Sequence, residues 1–392
     1  AATIAPMINL YFDNHATTPI DPEVVDAMIP YLREKFGNAA SSAHELGWEA
    51  KIAIDDARAK VAKLIGAKPN EVIFTSGATE SIHLAIMGRL EKEGTSKHLI
   101  TAATEHKATL EAAARAKRFG HDVTVLKVDH EGRVTREELQ AALKPETSIV
   151  SLMHANNEIG TLHPIAEIGA LLRARDGVVF HVDAAQTLGK HEVNVDAMGI
   201  DLLSLSSHKF HGPKGVGALY VRKQPKNVRL APQMPGGGQE QGLRGGTVNV
   251  PGVVGLGVAC EIALRHLDEE RTRLTKWRDR VITTILEKHP ANVQLNGPRG
   301  DDRLCNNINF SLRSVDPDKL LLELKGIAFS MASACSGMGG SHVLTAIGRK
   351  QDEPQTATLR LGLSRLTKEE EVSSLIERLG AAIRNAREIP NG

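Results

Sequence analysis

Short apolar runs alternate with helical patterns through the first two thirds of the chain. Apolar residues recur at helical spacing over residues 54–65, and the predicted helix ends at Gly66. Residues 148–153 and 178–182 are almost entirely apolar, which is typical of strands covered on both faces in a parallel sheet. Alternation of this kind predicts an α/β layer fold.

Start and stop signals add further elements to this pattern. Asp21 followed by Pro22 predicts the start of a helix that is closed by Gly37. A capping box at residues 135–138 predicts the start of another helix. Further strands are predicted over 71–75, 99–102 and 122–128, and further helices over 80–90 and 106–119.

The pattern changes after about residue 250. It predicts a long helix over 253–289, strands over 306–312 and 358–364, and helices over 317–324 and 367–386. The last helix is expected to open with a capping box at Thr367–Glu370. Fewer strands and longer helices indicate a second, smaller α+β domain.

Charge and cysteine content narrow the class of protein. The 392 residues include 48 Lys and Arg against 47 Asp and Glu, a net charge of +1, which argues against a nucleic-acid or membrane-surface binder. The three cysteines, Cys260, Cys305 and Cys335, are too few for a disulfide framework and indicate a reducing compartment. The residues ahead of Met7 lack the features of a secretory signal, so a cytoplasmic protein is expected.

Residues 74–80 (FTSGATE) lead from a predicted strand through a small turn into a helix. The free N–H groups and the partial positive charge of a helix N-terminus suit a phosphate group. A plain strand–helix turn is the alternative on this segment alone. The glycine spacing matches neither nucleotide triphosphate nor dinucleotide motifs.

Two more residues follow predicted strands. Asp183 ends an apolar run, where open α/β sheets bind ligands, although a helix N-cap explains it equally well. Lys209 follows an apolar strand, where desolvation can lower the pKa of the amine and make it nucleophilic. Taken alone, Lys209 is typical of a surface lysine beside a turn. Together with a phosphate turn they match the needs of pyridoxal 5′-phosphate, which takes a lysine Schiff base, an acid and a phosphate cradle.

The spacing of Cys and His is not that of a metal site, and the pair His208 and His211 is not favoured as one.

Seven motifs give the chain a clear family resemblance. They are YFDNHATT (11–18), FGNAASSAH (36–44), FTSGATE (74–80), TEHK (104–107), NNEIG (156–160), DAAQ (183–186) and SSHKFHGPKG (206–215). In these the chain resembles NifS/IscS-type cysteine desulfurases, which are class V aminotransferase-like, fold-type I enzymes. The resemblance implies a large cofactor domain (16–258) with a mostly parallel seven-stranded sheet. It also implies a small domain (1–15 plus 259–392) that carries a loop at about 330–342.

The resemblance also implies roles around the cofactor ring. Lys209 is implied as the Schiff-base lysine, and Asp183 as the partner of the pyridine N–H. Gln186 is implied to bond the phenolic oxygen, and Asn157 to lie near the same oxygen and the substrate. His106 is implied to stack on the ring and to relay protons.

Phosphate and substrate contacts complete the implied site. Thr247 resembles the family's threonine that reaches the phosphate of a neighbouring subunit, which implies a homodimer. Arg360 matches the arginine that binds the substrate carboxylate, and it is favoured over its neighbour Arg365 on motif position. The implied phosphate ligands are Ala78, Thr79, Ser206 and His208.

Cys335 lies among serine and glycine residues, which favours an accessible thiol. Cys260 lies in an apolar stretch and Cys305 at the start of a predicted strand, so both are interpreted as structural. It matches the family's persulfide-forming cysteine, in a loop about two residues shorter than is typical. The implied reaction removes sulfur from L-cysteine, leaves L-alanine and a persulfide on Cys335, and passes the sulfur to an acceptor such as an iron–sulfur scaffold. The sequence ends soon after its last predicted helix, so the long tail with which IscS-type enzymes dock a scaffold is expected to be absent, which favours a NifS-like or divergent member.

Two other functions stay open at this point. A selenocysteine lyase or a cysteine or cystine C–S lyase on the same fold is the alternative enzyme, although a lyase that releases sulfide has no need of Cys335. A sulfur-delivery scaffold without turnover is the non-enzymatic alternative. The complete set of cofactor residues, Lys209 and Asp183 in particular, argues against it.

Overall fold

A computed structural model describes residues 10–333, 340–349 and 356–387. Within these ranges the helices are α1 (Pro22–Arg33), α2 (Glu45–Ile65), α3 (Ala78–Glu93), α4 (Lys107–Arg118), α5 (Arg136–Ala142), α6 (Ile165–Arg173), α7 (Val250–Lys288), α8 (Pro317–Glu323), α9 (His342–Ala346) and α10 (Glu369–Asn385). The strands are β1 (Leu10–Tyr11), β2 (Val72–Thr75), β3 (His98–Ala102), β4 (Asp122–Leu126), β5 (Thr147–Met153), β6 (Val179–Asp183), β7 (Leu202–Ser206), β8 (Gly217–Val221), β9 (Val293–Leu295), β10 (Asn307–Arg313), β11 (Ile327–Ala328), β12 (Ser330–Ser333) and β13 (Thr356–Gly362).

The larger sheet has seven strands in the order β2-β8-β7-β6-β5-β3-β4. Only β8 runs antiparallel to its neighbours, so the predicted α/β fold with a mostly parallel seven-stranded sheet is confirmed. Every residue of β5, β6 and β7 is buried, because helices cover both faces of the sheet. Strand β8 and helix α6 were not predicted.

The smaller sheet has four antiparallel strands in the order β12-β13-β10-β9. Its apolar face packs against the second half of α7 and against α10, in a core that includes Phe310, Leu359 and Leu375. The helices and strands predicted here are confirmed. The predicted capping box at Thr367 is wrong, because α10 begins two residues later. The hydroxyl of Thr367 accepts instead from the N–H of Ser364, at 2.9 Å.

Helix α7 joins the two cores. Leu256 and Cys260 belong to the core of the larger sheet, and Val281 and Ile285 to that of the smaller one. Helix α7 is long and apolar enough to cross a membrane. However, 56% of its most apolar 18-residue segment is buried within the protein, as is common in the core helix of a soluble protein. The domain boundary predicted at 258/259 falls inside α7 and stays a prediction.

The parallel strands determine where polar residues collect. Strands β2, β5, β6 and β7 run in the same direction, so their carboxyl ends lie along one edge of the larger sheet. Ser76, Asn157, Asp183 and Ser206 all lie at or just after these ends. The predicted site residues are therefore brought to a single edge.

Helices α2 and α7 approach each other closely at a glycine. A Cβ atom built on Gly257 would lie 2.8 Å from the Cα atom of Ala57, closer than real contacts allow. In α10, by contrast, a Cβ atom on Gly380 would meet nothing nearer than 3.7 Å, which is ordinary van der Waals contact.

We expect the same substitution to have opposite effects at these two glycines. Gly257→Ala should destabilise the protein by about 1–3 kcal/mol, because α2 and α7 must move apart. Gly380→Ala should stabilise it by up to about 1 kcal/mol, because alanine favours the helix. Urea unfolding of both variants measures the difference, and equal effects would contradict the packing described.

Candidate active site

A cavity of about 590 Å³ opens at the carboxyl edge of the larger sheet. Thr247 does not line it and is exposed on the loop before α7. Cys335 lies outside the described residues. The predicted residues that the structure brings together here are Ala78, Thr79, His106, Asn157, Asp183, Gln186, Ser206, His208, Lys209 and Arg360.

One end of the cavity is the start of α3. Gly77 precedes the helix with φ of 152°, and the N–H groups of Ala78 and Thr79 find no acceptor among the described residues. The turn packs directly on β8, since a Cβ atom on Gly217 would lie 2.7 Å from the Cα atom of Gly77. Ser206 faces the turn from the end of β7. Free donors and the helix dipole make this end suited to a phosphate.

His208 lies at the same end of the cavity. Its Nδ1 atom is 3.0 Å from the hydroxyl oxygen of Thr17. Burial lowers the pKa of His208 to about 4, and the charges of Lys209 and Lys214 act in the same direction. The ring is therefore neutral near pH 7 and keeps one N–H to donate.

Lys209 lies in a short 3₁₀ turn after β7 and reaches across to the amino-terminal segment. Its Nζ atom donates to the carbonyl oxygens of His15 and Ala16, each at 2.8 Å. Burial lowers the pKa of Lys209 to about 8, with a further contribution from the charge of Arg360, while Asp183 opposes the shift. A large share of the amine is thus unprotonated, and nucleophilic, slightly above neutral pH.

Asp183 ends β6 and is 6% exposed. Its Oδ1 atom accepts from the N–H of Ala185 at 2.9 Å, and no cationic side chain of the described residues forms an ion pair with it. Burial raises the pKa of Asp183, although His106 and Lys209 favour the charged form. A buried carboxylate at a cavity wall, outside any ion pair among the described residues, is suited to bind a protonated ligand atom.

His106 is the N-cap of α4. Its Nδ1 atom accepts from the N–H of Ala108 at 3.1 Å, so the neutral ring carries its hydrogen on Nε2. Burial lowers the pKa of His106, and the neutral form is favoured. The ring lines the cavity together with Asp183 and Lys209.

The two candidate arginines have different surroundings. Arg360 on β13 lines the cavity, where it donates to Asp13 at 3.0 Å and to the carbonyl oxygen of Asn157 at 3.2 Å. Arg365 instead forms ion pairs with Asp21 and Glu270, away from this cavity. The preference for Arg360 agrees with this placement.

The two described cysteines are buried thiols. Burial raises the pKa of Cys305 to about 11 and that of Cys260 further still. Neither is therefore a nucleophile at neutral pH. Within the described ranges, no group of three His, Cys, Asp or Glu side chains is arranged to hold a metal ion.

The described residues on either side of Cys335 contact the cavity wall. Ser330 accepts a hydrogen bond from Arg360 at 2.6 Å. On the far side, the ring of His342 bonds the carbonyl oxygen of Glu105 at 2.9 Å, next to His106. Described residues on both sides of Cys335 thus contact the surroundings of the cavity.

Several residues of the site had no role assigned from the sequence. Asp13, His15 and Thr17 belong to the YFDNHATT motif, which was recognised as a signature without roles for its side chains. Lys214 lines the phosphate end, and Ser330 binds both Asp13 and Arg360. The motif itself was the signal that pointed to the first three.

Comparison with known proteins places the chain among its relatives. The model of the class-V aminotransferase family matches residues 10–375. The chain belongs to this family. A cysteine desulfurase IscS of Anaeromyxobacter sp. (strain K) is 46% identical over 385 residues, which is 97% of this chain and 94% of the relative.

Similar solved structures agree with this family placement. A NifS-like protein superposes with a TM-score of 0.87 at 37% identity, and covers 96% of this chain and 99% of its own. The structure of SspA in complex with cysteine has a TM-score of 0.79 at 37% identity, with coverage of 91% and 100%. Within the class-V aminotransferases, this enzyme therefore groups with the NifS/IscS-type cysteine desulfurases, whose cofactor is pyridoxal phosphate.

The low pKa of Lys209 is directly testable in the cofactor-free protein. We expect labelling of Lys209 by an amine-reactive reagent to be half-maximal at a pH of about 8, because only the unprotonated amine reacts. Mass spectrometry of the digested protein measures labelling at each pH, with peptides of exposed lysines as the internal reference. A midpoint near the ordinary lysine value of about 10.4 would show that the amine is not desolvated.

Proposed function

We propose that this class-V aminotransferase is a pyridoxal-phosphate-dependent cysteine desulfurase that converts L-cysteine to L-alanine and a persulfide on Cys335. The observation that carries the proposal is that one cavity brings together Lys209, Asp183, His106 and Arg360. The set combines a nucleophilic amine, a buried carboxylate, a neutral imidazole and a guanidinium. The names of the IscS relative and of the cysteine complex support the same substrate.

The residues of the cavity fit pyridoxal phosphate. The N–H groups of Ala78 and Thr79 lack acceptors among the described residues, as a phosphate cradle requires. Ser206 and His208 add donors at the same end. At the other end, the carboxylate of Asp183 forms no ion pair with a side chain of the described residues, and would hold the ring nitrogen in its protonated form.

When bound, pyridoxal phosphate supplies an aldehyde that takes up the substrate amine and a ring that withdraws electrons from Cα. Arg360 binds the substrate carboxylate through the fork of its guanidinium, and Asp13 and Asn157 hold that fork in place. Lys209, whose amine is largely unprotonated above pH 8, takes the Cα proton. His106 holds an N–H on Nε2 at the same wall for proton transfer.

The sulfur step needs a second nucleophile. The thiolate of Cys335 attacks the substrate sulfur, a sulfur–sulfur bond forms, and the bond from sulfur to Cβ breaks. The electron pair of that bond stays with the three-carbon fragment, which takes up protons to become alanine. The anchors of Ser330 at Arg360 and of His342 at Glu105 support delivery of Cys335 to this cavity.

Three finer features of the proposal concern the setting. We propose a homodimer, supported by Thr247, which is exposed and does not line the chain's own cavity. We propose an acceptor protein for the persulfide sulfur, such as an iron–sulfur scaffold. The low cysteine content and the two free thiols support a reducing, cytoplasmic setting.

The role of Cys335 predicts a loss of product. Incubated with L-cysteine and a thiol, the wild type should release alanine, whereas Cys335→Ala should release none above background and keep the visible absorbance of the bound cofactor. Cys305→Ala is the matched control, and it should stay active because that thiol is buried and un-ionised. Full alanine release by Cys335→Ala would contradict the persulfide step. Pyruvate and sulfide from both proteins would indicate a C–S lyase.

The role of Arg360 predicts a loss of substrate recognition. Arg360→Lys should lower kcat/KM for L-cysteine by about 10- to 100-fold, because lysine keeps the charge but loses the paired hydrogen bonds to the carboxylate. Arg365→Lys is the control and should change kcat/KM little, since Arg365 pairs with Asp21 and Glu270. If steady-state kinetics showed the loss in Arg365→Lys and not in Arg360→Lys, binding of the substrate carboxylate would be assigned to Arg365.

A further inference from the structure

A chain of three hydrogen bonds leads from a buried arginine into the cavity. Arg303 Nη1 lies 2.6 Å from Asn307 Oδ1, Asn307 Nδ2 lies 3.2 Å from His15 Nε2, and His15 Nδ1 lies 3.0 Å from Gln186 Oε1. All four side chains are at most 5% exposed. Water therefore does not compete for these bonds, and each atom must act as donor or acceptor in agreement with its neighbour.

The orientation of the Asn307 amide is fixed at both of its ends. Its oxygen faces the guanidinium of Arg303, which only donates, and its nitrogen lies 3.0 Å from the carbonyl oxygen of Glu158, which only accepts. A flipped amide would place N–H against N–H and oxygen against oxygen. Nδ2 of Asn307 is therefore the donor toward His15.

This donor determines the protonation of His15. Because Nδ2 of Asn307 donates to Nε2, that ring nitrogen carries no hydrogen, and the neutral ring carries its hydrogen on Nδ1. Burial holds the pKa of His15 well below its usual value, and the charges of Arg360, Lys190 and Lys209 also oppose a second proton. The Nδ1–H group then donates to Oε1 of Gln186.

The Gln186 amide is consequently fixed as well. Its oxygen accepts from His15, and its nitrogen donates to the backbone carbonyl oxygen of His15 at 3.0 Å. The amide nitrogen has a second hydrogen, and Gln186 lines the cavity beside Asp183 and Lys209. The same carbonyl oxygen of His15 also accepts from Lys209, so one residue contacts both side chains.

We propose that His15 is a positioning residue, which together with Asn307 fixes the Gln186 amide so that it presents an N–H, and not its carbonyl oxygen, to the ligand. The inference rests on the proposed function for the identity of that ligand, whose phenolic oxygen is the acceptor. A donor at this oxygen stabilises its negative charge. It therefore favours the form of the loaded enzyme that has lost a proton.

The first test needs no cofactor. Nitrogen NMR of the cofactor-free protein with ¹⁵N-labelled histidine should show His15 neutral at pH 7, with its hydrogen on Nδ1; the signals are assigned by their loss in His15→Phe. Asn307→Asp replaces the donor by a carboxylate oxygen, which only accepts. In that variant a hydrogen should appear on Nε2 of His15.

The second test follows the visible absorbance of the loaded enzyme as a function of pH. His15→Phe should raise the pH midpoint of the absorbance change by about one unit, because the Gln186 oxygen loses its donor and only the backbone carbonyl oxygen of residue 15 still orients the amide. His98→Phe is the matched control. It also removes a buried histidine, one that lies on β3 and bonds Thr124 and Thr147, and it should leave the midpoint unchanged.

The outcomes separate this proposal from the proposed function. Hydrogen on Nε2 of His15 in the wild type, or a midpoint in His15→Phe equal to that of the wild type, overturns the positioning role. If the wild type takes up no chromophore, the proposed cofactor is wrong. The tautomer of His15 and its switch in Asn307→Asp still decide whether the hydrogen-bond chain has the stated direction.

Discussion

The contacts of residues 13–18 connect every part of the site. Asp13 binds Arg360 on the smaller sheet, while the carbonyl oxygens of residues 15 and 16 hold the amine of Lys209 beside the larger one. Thr18 accepts from the N–H of His211 at 2.8 Å and donates to the carbonyl oxygen of His208, which fixes the turn around the lysine. This short segment, which turns at residues 14–16, thus sets the distance between the amine and the carboxylate-binding guanidinium.

Burial at this junction has an energetic cost. Lowering the pKa of Lys209 from about 10.4 when unfolded to about 8 when folded costs about 3 kcal/mol at any pH below 8, where the buried amine must carry a proton. The cost fades as the pH rises from 8 to 10.4, since the folded protein releases its proton first. The two carbonyl oxygens that accept from Nζ offset part of it. An amine that is reactive near pH 8 is therefore obtained at the expense of stability in the cofactor-free protein.

Local patterns predicted the parts of the fold that depend on local physics. Helix α2 ends at Gly66, as predicted, because its φ of 68° suits a residue without Cβ. The apolar runs of β5 and β6 were recognised because both faces of these strands are buried. Strand β8 was not predicted, since its place between β2 and β7 depends on pairing between distant segments and not on a local signal.

In the site, too, local signals located some residues, whereas contacts between distant segments could not be predicted. Asp183 and Lys209 were located because they lie at the end of a predicted strand or just after one, whereas His106 was located only through the family resemblance. The partnership of Asp13 with Arg360 joins residues 347 positions apart, and the pairing of Asn307 with His15 joins residues 292 positions apart. The motif position favoured Arg360 over Arg365, and the structure gives the physical reason: Arg360 lies within β13, whereas Arg365 follows the end of that strand at Gly362.

Register also explains why a glycine follows the arginine on β13. Residues 360 and 362 point to the same face of the strand, so the side chain of residue 362 would project beside that of Arg360. A Cβ atom on Gly362 would lie 2.7 Å from Cδ2 of His15 and 3.0 Å from its backbone nitrogen. Glycine at this position therefore lets the 13–18 segment lie directly against β13. The same close approach brings Asp13 within reach of Arg360 and seats the His15 ring between Gln186 and Asn307, so the two halves of the site depend on one missing side chain.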